Sequence, residues 1–357
     1  MGGEDAEGAA RVPAWPDIAV IAPNLKRRLS GVTTTVVRLI PTQARTIGIV
    51  TTGPGLPPTL PHLPLWRVAM APRDRWRVWH ARRNVEMLAG LILTRLLRRR
   101  FRLLFTSAAQ RRHSVYTRWL IRRMDAVVAT SPQAASYLER PATVIMHGID
   151  LEALRPAKDK ASVRRGLGLP AEGTLIGCFG RLRAQKGTDV LIDACLTVLP
   201  RHPGTRVILT GRELSDQRAF MDAQRAKLAA AGLTDRVTFL GERPWSEMER
   251  LYRALDLFIA PARWEGFGLT PIEAMASGVP VIATRVGAFE AQVNDPATGR
   301  LIPPGDTGAL AAAMQAMLSD PAALAVAGQA ARARVEAQFD IRGEATALEA
   351  VYRGLLA

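Results

Sequence analysis

The feature that most constrains this chain is the alternation of short, continuously apolar runs with helical stretches along its whole length. PDIAVIAP (16–23), RTIGIVTT (45–52), LPLWRVA (63–69), RLLFTS (102–107), DAVVATS (125–131) and ATVIMHG (142–148) read as strands in the first half. TLIGCFG (174–180), TRVILTG (205–211), RVTFLG (236–241), LDLFIAP (255–261), PVIAT (280–284) and GRLIPP (299–304) read as strands in the second. Most are apolar on successive residues, which suits strands buried on both faces of a parallel sheet. Helical patterns fall between them, as at 188–199, 215–231 and 271–277. Repeated strand–helix alternation makes an α/β protein with doubly wound sheets. Two sets of strands in 357 residues predict two similar domains, divided in the polar stretch around 151–170, with Pro156 and Pro170 as punctuation.

The two halves differ in charge. Residues 1–150 hold 23 Lys and Arg against 9 Asp and Glu, whereas 151–357 hold 25 against 23. Lys26 is the only lysine of the first half, and arginine is the better residue for bidentate phosphate contacts. Such asymmetry points the first half toward an anionic partner: nucleic acid, anionic lipid or a phosphorylated substrate. Residues 73–102 have a helical pattern, with apolar Val85, Leu88, Leu91, Ile92 and Leu96 beside Arg95, Arg98, Arg99, Arg100 and Arg102. This fits a crossover helix packed on the first sheet, or a basic amphipathic helix lying on an anionic membrane surface.

Several classes are excluded. Cys178 and Cys195 are too few for a disulfide framework or a four-cysteine metal site, and the five histidines show no ligand spacing. The opening MGGEDAEGAARVP lacks the order of a secretory signal, and the apolar run 87–97 is too short to span a bilayer. The expectation is a soluble, cytoplasmic chain.

Two segments carry chemistry. In CFGRLRAQKGTDVLIDA (178–194) a buried strand ends at Phe179, Gly180 makes a tight turn, and a helix begins near Gly187. Arg181 and Lys186 flank that turn at a helix N-terminus, where free N–H groups favour anions, so the two cations suit a diphosphate. Neither a Walker loop nor GxGxxG is present. In PARWEGFGLTPIEAMASGVPVIAT (261–284) a strand gives way to a loop with Glu265, Gly266, Phe267 and Gly268, then to a helix with Glu273 in its first turn. Ligands of such sheets bind outside the carboxyl ends of the strands, where this loop must lie. The glycines allow close backbone approach, and a carboxylate there can accept from sugar or ribose hydroxyls. Taken alone, Glu273 also reads as an acid complementing the helix dipole.

GRLRAQKG followed by EGFGLTPIE resembles the retaining glycosyltransferases of the GT4 family, which have the GT-B fold. Their signature of two glutamates separated by seven residues is matched by Glu265 and Glu273. HGID (147–150) is similar to the family's interdomain motif, with His147 for asparagine, and GAFEAQV (287–293) to a second motif, with Ala288 for glycine. In the first half, LKRRLSGVTTTVVRLIPTQ and FTSAAQRRHSVYTRWLIRRMDAVVATS look most like bacterial lipopolysaccharide-core mannosyltransferases.

The resemblance implies two Rossmann-like domains facing a cleft. Residues 1–150 would bind the acceptor, 151–340 the nucleotide-sugar donor, and 341–357 would form a helix crossing back to the first domain. It implies catalytic roles for Arg181, Lys186 and Glu265, the cations holding the diphosphate as it leaves and Glu265 lying by the donor sugar. Gly180, Gly266, Phe267, Gly268 and Leu269 would contact the donor, with Glu273 on its ribose hydroxyls. Gly31, in the loop Ser30–Gly31–Val32, would approach the donor from the first domain. No metal or other cofactor is implied, and the donor would be GDP-mannose. The acceptor would be a lipid-linked oligosaccharide at the inner face of the cytoplasmic membrane, with no nucleic acid as partner. Many relatives place a histidine just after the fourth strand. Thr106–Ser107 stand there in this chain and His113 a few residues later, so its catalytic use stays open. So do a UDP-sugar donor and, from another class, a basic nucleic-acid-binding protein, which would leave both glutamates without a role.

Overall fold

A computed structural model describes residues 10–26 and 31–357. One unit runs to Gly148 and takes back Ile341–Ala357; the other is Ile149–Asp340.

The first unit is built on six parallel strands: β1 (Val20–Pro23), β2 (Ile49–Thr52), β3 (Arg77–Ala81), β4 (Phe101–Ser107), β5 (Ala126–Ala129) and β6 (Thr143–Val144). Their order across the sheet is β2-β1-β3-β4-β5-β6. Val20, Ile21, Val50, Val78, Trp79 and Leu104 are buried, as the unbroken apolar runs require. The helix Ile341–Leu356 closes one face of this sheet: Ile341, Ala345, Leu348 and Tyr352 join the core formed by Val20, Val36, Ile40 and Val78. The Tyr352 hydroxyl lies 2.8 Å from His80 Nδ1 on β3, while His80 Nε2 meets the Thr106 hydroxyl at 2.6 Å. Complete burial, reinforced by the Arg82 charge, holds the His80 pKa well below the ordinary histidine range.

The second unit repeats the plan with β7 (Thr174–Phe179), β8 (Thr205–Thr210), β9 (Val237–Gly241), β10 (Leu257–Ala260), β11 (Val281–Thr284) and β12 (Gly299–Ile302). All pair in parallel, in the order β12-β11-β10-β7-β8-β9. The chain therefore runs outward from β7 through β8 and β9, then returns to lay β10 on the other side of β7. That reversal opens a crevice at the carboxyl ends of β7 and β10, the place where doubly wound sheets bind ligands.

Two local expectations are corrected. LPLWRVA is not a strand: Leu65–Ala69 is a helix started by Pro64, with Val68 buried and Leu65 and Trp66 exposed. The strand is RVWHA (77–81), inside the segment whose pattern predicts a helix over 73–102. Arginines disguise it, yet Arg77 is itself buried because its guanidinium donates to Asp74 (2.9 Å), the Pro72 carbonyl (3.0 Å) and the Trp15 carbonyl (2.9 Å). The helical pattern of 73–102 holds only for the helix Asn84–Leu91 and the π-helical turn Ile92–Leu96. Of the five apolar residues predicted to share a face there, Leu91 alone is buried; Val85, Leu88, Ile92 and Leu96 are exposed. No single helix among the described residues is long and apolar enough to cross a membrane.

Candidate functional site

The crevice of the second sheet holds an open pocket of about 350 Å³, lined by Gly180, Arg181, Lys186 and Glu265 together with Cys178, Phe179 and Thr270. Local sequence explains how they meet. After Gly180 the chain makes one tight turn, Ala184–Lys186, and Gly187 then takes φ +73° to start the helix Thr188–Val198. A Cβ at Gly187 would stand 1.9 Å from the Pro261 carbonyl oxygen, so only glycine lets the loop after β7 lie against the loop after β10. Further bonds clamp the two loops. The Arg263 guanidinium donates to both Asp189 oxygens (2.7 and 2.8 Å), and the Arg263 N–H donates to the Gln185 carbonyl (2.9 Å). Burial opposes ionisation of Asp189, but Arg263 outweighs it and holds the carboxyl below its usual range.

Lys186 thereby forms an ion pair with Glu265 Oε2, while Glu265 Oε1 accepts the Gly266 N–H at 3.0 Å. Both side chains are partly exposed to the pocket, and Arg181 is exposed beside them. Burial pushes the Cys178 thiol up to about 12, with Lys186 opposing, so no thiolate is available there at neutral pH.

Glu273 sits in the first turn of the helix Thr270–Ala276, which opens beside the pocket at Thr270, and is 4% exposed. The buried Tyr252 hydroxyl donates to its Oε2 at 2.6 Å, and the Tyr252 ring packs edge-on against Phe179, 4.9 Å between centroids. Phe267 is buried and presents no ring to the pocket. Its carbonyl and that of Gly268 accept from Gln292 Nε2 at 3.1 and 3.0 Å, which fixes the loop between the two glutamates. Gly268 has φ +70°, and a Cβ there would strike the Phe289 ring at 2.5 Å. Leu269 caps the helix and is partly exposed. The backbone amides at 266–268 are thus not all presented to a ligand: that of Gly266 is engaged by Glu265.

Sequence reasoning missed Tyr252, Gln292 and Arg183. Gln292 lies in GAFEAQV (287–293), whose resemblance to a family motif did not single it out, and Tyr252 lies in a stretch with no motif. Arg183 stands between the two named cations, and its buried Nε has no hydrogen-bond partner. Burial lowers its pKa, aided by Arg181 and opposed by Glu265 and Asp216. Its signal was available as a third basic residue in GRLRAQKG.

Gly31 lies in the first unit, where it is exposed and opens the helix Gly31–Gln43; Ser30 is outside the described residues. That helix is anchored at the carboxyl ends of β1 and β3. Asn24 Oδ1 accepts from the Thr33 hydroxyl (3.0 Å) and from Arg83 (2.7 Å), and Arg83 also donates to the fully buried Glu86 (2.9 Å). The loop after β4 carries His113 back to the strand end, with its Nε2 3.2 Å from the Ser107 hydroxyl. Burial, then Arg111, holds its pKa below the ordinary histidine value.

Residues 159–334 match the family described as glycosyl transferases group 1. The whole chain is similar to two curated relatives. It is 48% identical over 351 residues to the lipopolysaccharide core biosynthesis mannosyltransferase LpsB of Rhizobium meliloti (strain 1021), covering 95% of this chain and 98% of that one. It is 48% identical over 352 residues to the mannosyltransferase LpcC of Rhizobium leguminosarum bv. viciae, covering 97% and 99%. Among solved structures, Anabaena Alr3699/HepE in complex with UDP superposes with a TM-score of 0.83 at 20% identity, covering 94% of this chain and all of that one.

Proposed function

Because the chain belongs to the group 1 glycosyl transferases and is a glycosyltransferase, we propose that it transfers mannose from GDP-mannose, with retention, to a lipopolysaccharide-core acceptor. The observation that carries this reading is the meeting of Arg181, Lys186 and Glu265 on one pocket at the reversal point of the second sheet. In the resting site Lys186 is held by Glu265, so the cation is placed before the donor arrives. Arg181 and Lys186 take the donor diphosphate. As the bond from the sugar anomeric carbon to the β-phosphate oxygen breaks, they hold the charge that builds on that oxygen. The acceptor hydroxyl oxygen bonds to the anomeric carbon from the same face, and its proton leaves with the departing diphosphate. Fixed cations aimed at charge that appears only in the transition state are a large catalytic contribution. Glu265 orients the donor sugar, and Glu273, held by Tyr252, accepts from the ribose.

The relatives' names support mannose and a lipopolysaccharide-core acceptor. A lipid-linked acceptor puts the enzyme to work at a membrane surface. A UDP-sugar donor is the second reading, favoured by the UDP that the superposable HepE structure holds. Thermal stabilisation by GDP, GDP-mannose, UDP and ADP separates the two. A ligand at 100 times its dissociation constant adds about 2.7 kcal/mol, a readable shift. A shift with GDP and GDP-mannose alone is the expected result, a UDP-selective shift replaces mannose, and no shift with any nucleotide overturns the site.

A further inference from the structure

The loop after β10 holds one large side chain that the fold does not use. Pro261, Ala262 and Glu265 line the pocket, whereas Arg263 and Trp264 between them do not. Arg263 is engaged by Asp189 and the Ala184 carbonyl. Trp264 is 45% exposed, more than any other aromatic side chain of the second unit. Among the described residues its ring meets no aromatic or guanidinium partner, and its indole N–H donates to none of them. Trp15, Trp76 and Trp119, by contrast, each lie under a guanidinium. The backbone that carries Trp264 is nonetheless fixed. The Arg263 N–H donates to the Gln185 carbonyl (2.9 Å), and Gln185 Nε2 donates to the Trp264 carbonyl (3.3 Å). The indole is thus held out from a braced loop, and only two side-chain torsions remain to be ordered when something covers it.

We propose that Trp264 is a stacking platform for a pyranose ring of the acceptor saccharide, a contact that the second unit adds to acceptor recognition. The inference rests on the oligosaccharide acceptor proposed above. The C–H face of a pyranose is apolar and slightly positive, and the face of an indole is apolar and negative, so the two stack while the indole N–H donates to a sugar hydroxyl. Position selects the acceptor over the donor. In the reading above Glu265 takes the donor sugar in the pocket and Glu273 takes the ribose farther along the loop. Trp264 precedes both in the chain, does not line the pocket, and stands beside Gln185. Its flanking residues, Arg263, Gln185 and Glu265, are polar. One ring among them is too small an apolar surface for a protein partner, but it suits a ligand that alternates C–H faces with hydroxyls.

The full chain is titrated calorimetrically with deacylated lipopolysaccharide-core oligosaccharide, with and without the nucleotide that stabilises it. Trp264→Ala should weaken oligosaccharide binding about tenfold and leave nucleotide and nucleotide-sugar binding within about twofold. Trp264→Phe keeps a ring, loses the N–H, and should recover most of the loss. In turnover, Trp264→Ala should raise the acceptor KM about tenfold, with kcat and the donor KM little changed. The side chain is exposed, so an unchanged melting midpoint will show that the variants are folded. The proposal is overturned if Trp264→Ala binds the oligosaccharide as well as wild type does, or if wild type binds none. It is also overturned if the variant loses the nucleotide-sugar but not the nucleotide, which gives the ring to the donor sugar, or loses both alike, which gives it to the nucleobase. Failure of the donor reading shows instead as no nucleotide shift in the wild-type chain, so the two failures are told apart.

Discussion

The two sheets reverse their strand order in the same way, one between β1 and β3 and the other between β7 and β10, yet the residues at the two reversal points do opposite things. At the first, Asn24, Thr33, Arg83 and Glu86 turn inward and bond to one another. At the second, Arg181, Lys186 and Glu265 face an open pocket. The surfaces are divided too. Among the described residues, fourteen of the seventeen exposed large hydrophobics belong to the first unit, leaving Trp245, Trp264 and Val326 to the second. One topology has thus been used twice: once with a largely buried polar cluster and an apolar, basic exterior, once with charged side chains facing an open pocket and an ordinary exterior. Topology supplies the crevice, and side chains decide what it holds.

The largest effect expected of breaking this contrast is on the first reversal point. Arg83→Ala leaves Glu86 buried without its partner and should lower unfolding stability by about 3–5 kcal/mol, read from the urea midpoint. A loss below about 1 kcal/mol would mean that the cluster is not holding the fold. At the second reversal point the cost should appear in turnover instead. Lys186→Ala should reduce kcat/KM by about 3 kcal/mol, more than a hundredfold, with little change in the melting midpoint. Equal loss of stability and activity would erase the distinction.

Tyr252→Phe removes one hydrogen bond to a buried carboxylate, about 1.5–3 kcal/mol. It should raise the donor KM more than it lowers kcat if Glu273 holds the ribose. A kcat effect alone would reassign Glu273 to the reacting end. The smallest effect is in pH. His80 is kept neutral in the folded state, so the unfolded chain binds a proton that the folded one refuses. Stability from this source is therefore complete above the unfolded histidine pKa of about 6.5, and falls as pH drops below it, by up to about 1.4 kcal/mol per pH unit. His80→Asn should flatten the stability–pH slope between about pH 6.5 and 5; an unchanged slope would show that another group governs it.

How much of this was legible beforehand varies residue by residue. The loop after β7 could be read because Gly180, Gly187, Arg181 and Lys186 fall within eight residues, where turn, helix start and charge are all local properties. The Glu265–Glu273 loop was readable for the same reason. β3 was not: RVWHA is flanked by arginines, and whether Arg77 is solvated or buried depends on carbonyls at Pro72 and Trp15. The direction of the apolar face over 84–96 was equally hidden. Periodicity locates an apolar face, but only the packing partner shows which face turns inward, and here Met87, Leu91 and Leu93 take the core.

The sequence by itself determined the α/β class, the two sets of strands, the basic character of the first half and the motif that marks the loop with Glu265 and Glu273. Each of these follows from residue type and short-range order, which survive in an unfolded chain. Tertiary structure alone decided that Lys186 reaches Glu265 across 79 positions, that Tyr252 holds Glu273, and that Arg83 is spent on Glu86 while Arg181 faces an open pocket. Those pairings depend on which strand ends the sheet order brings side by side. A chain encodes that order through the summed burial of all its strands, not in any one segment.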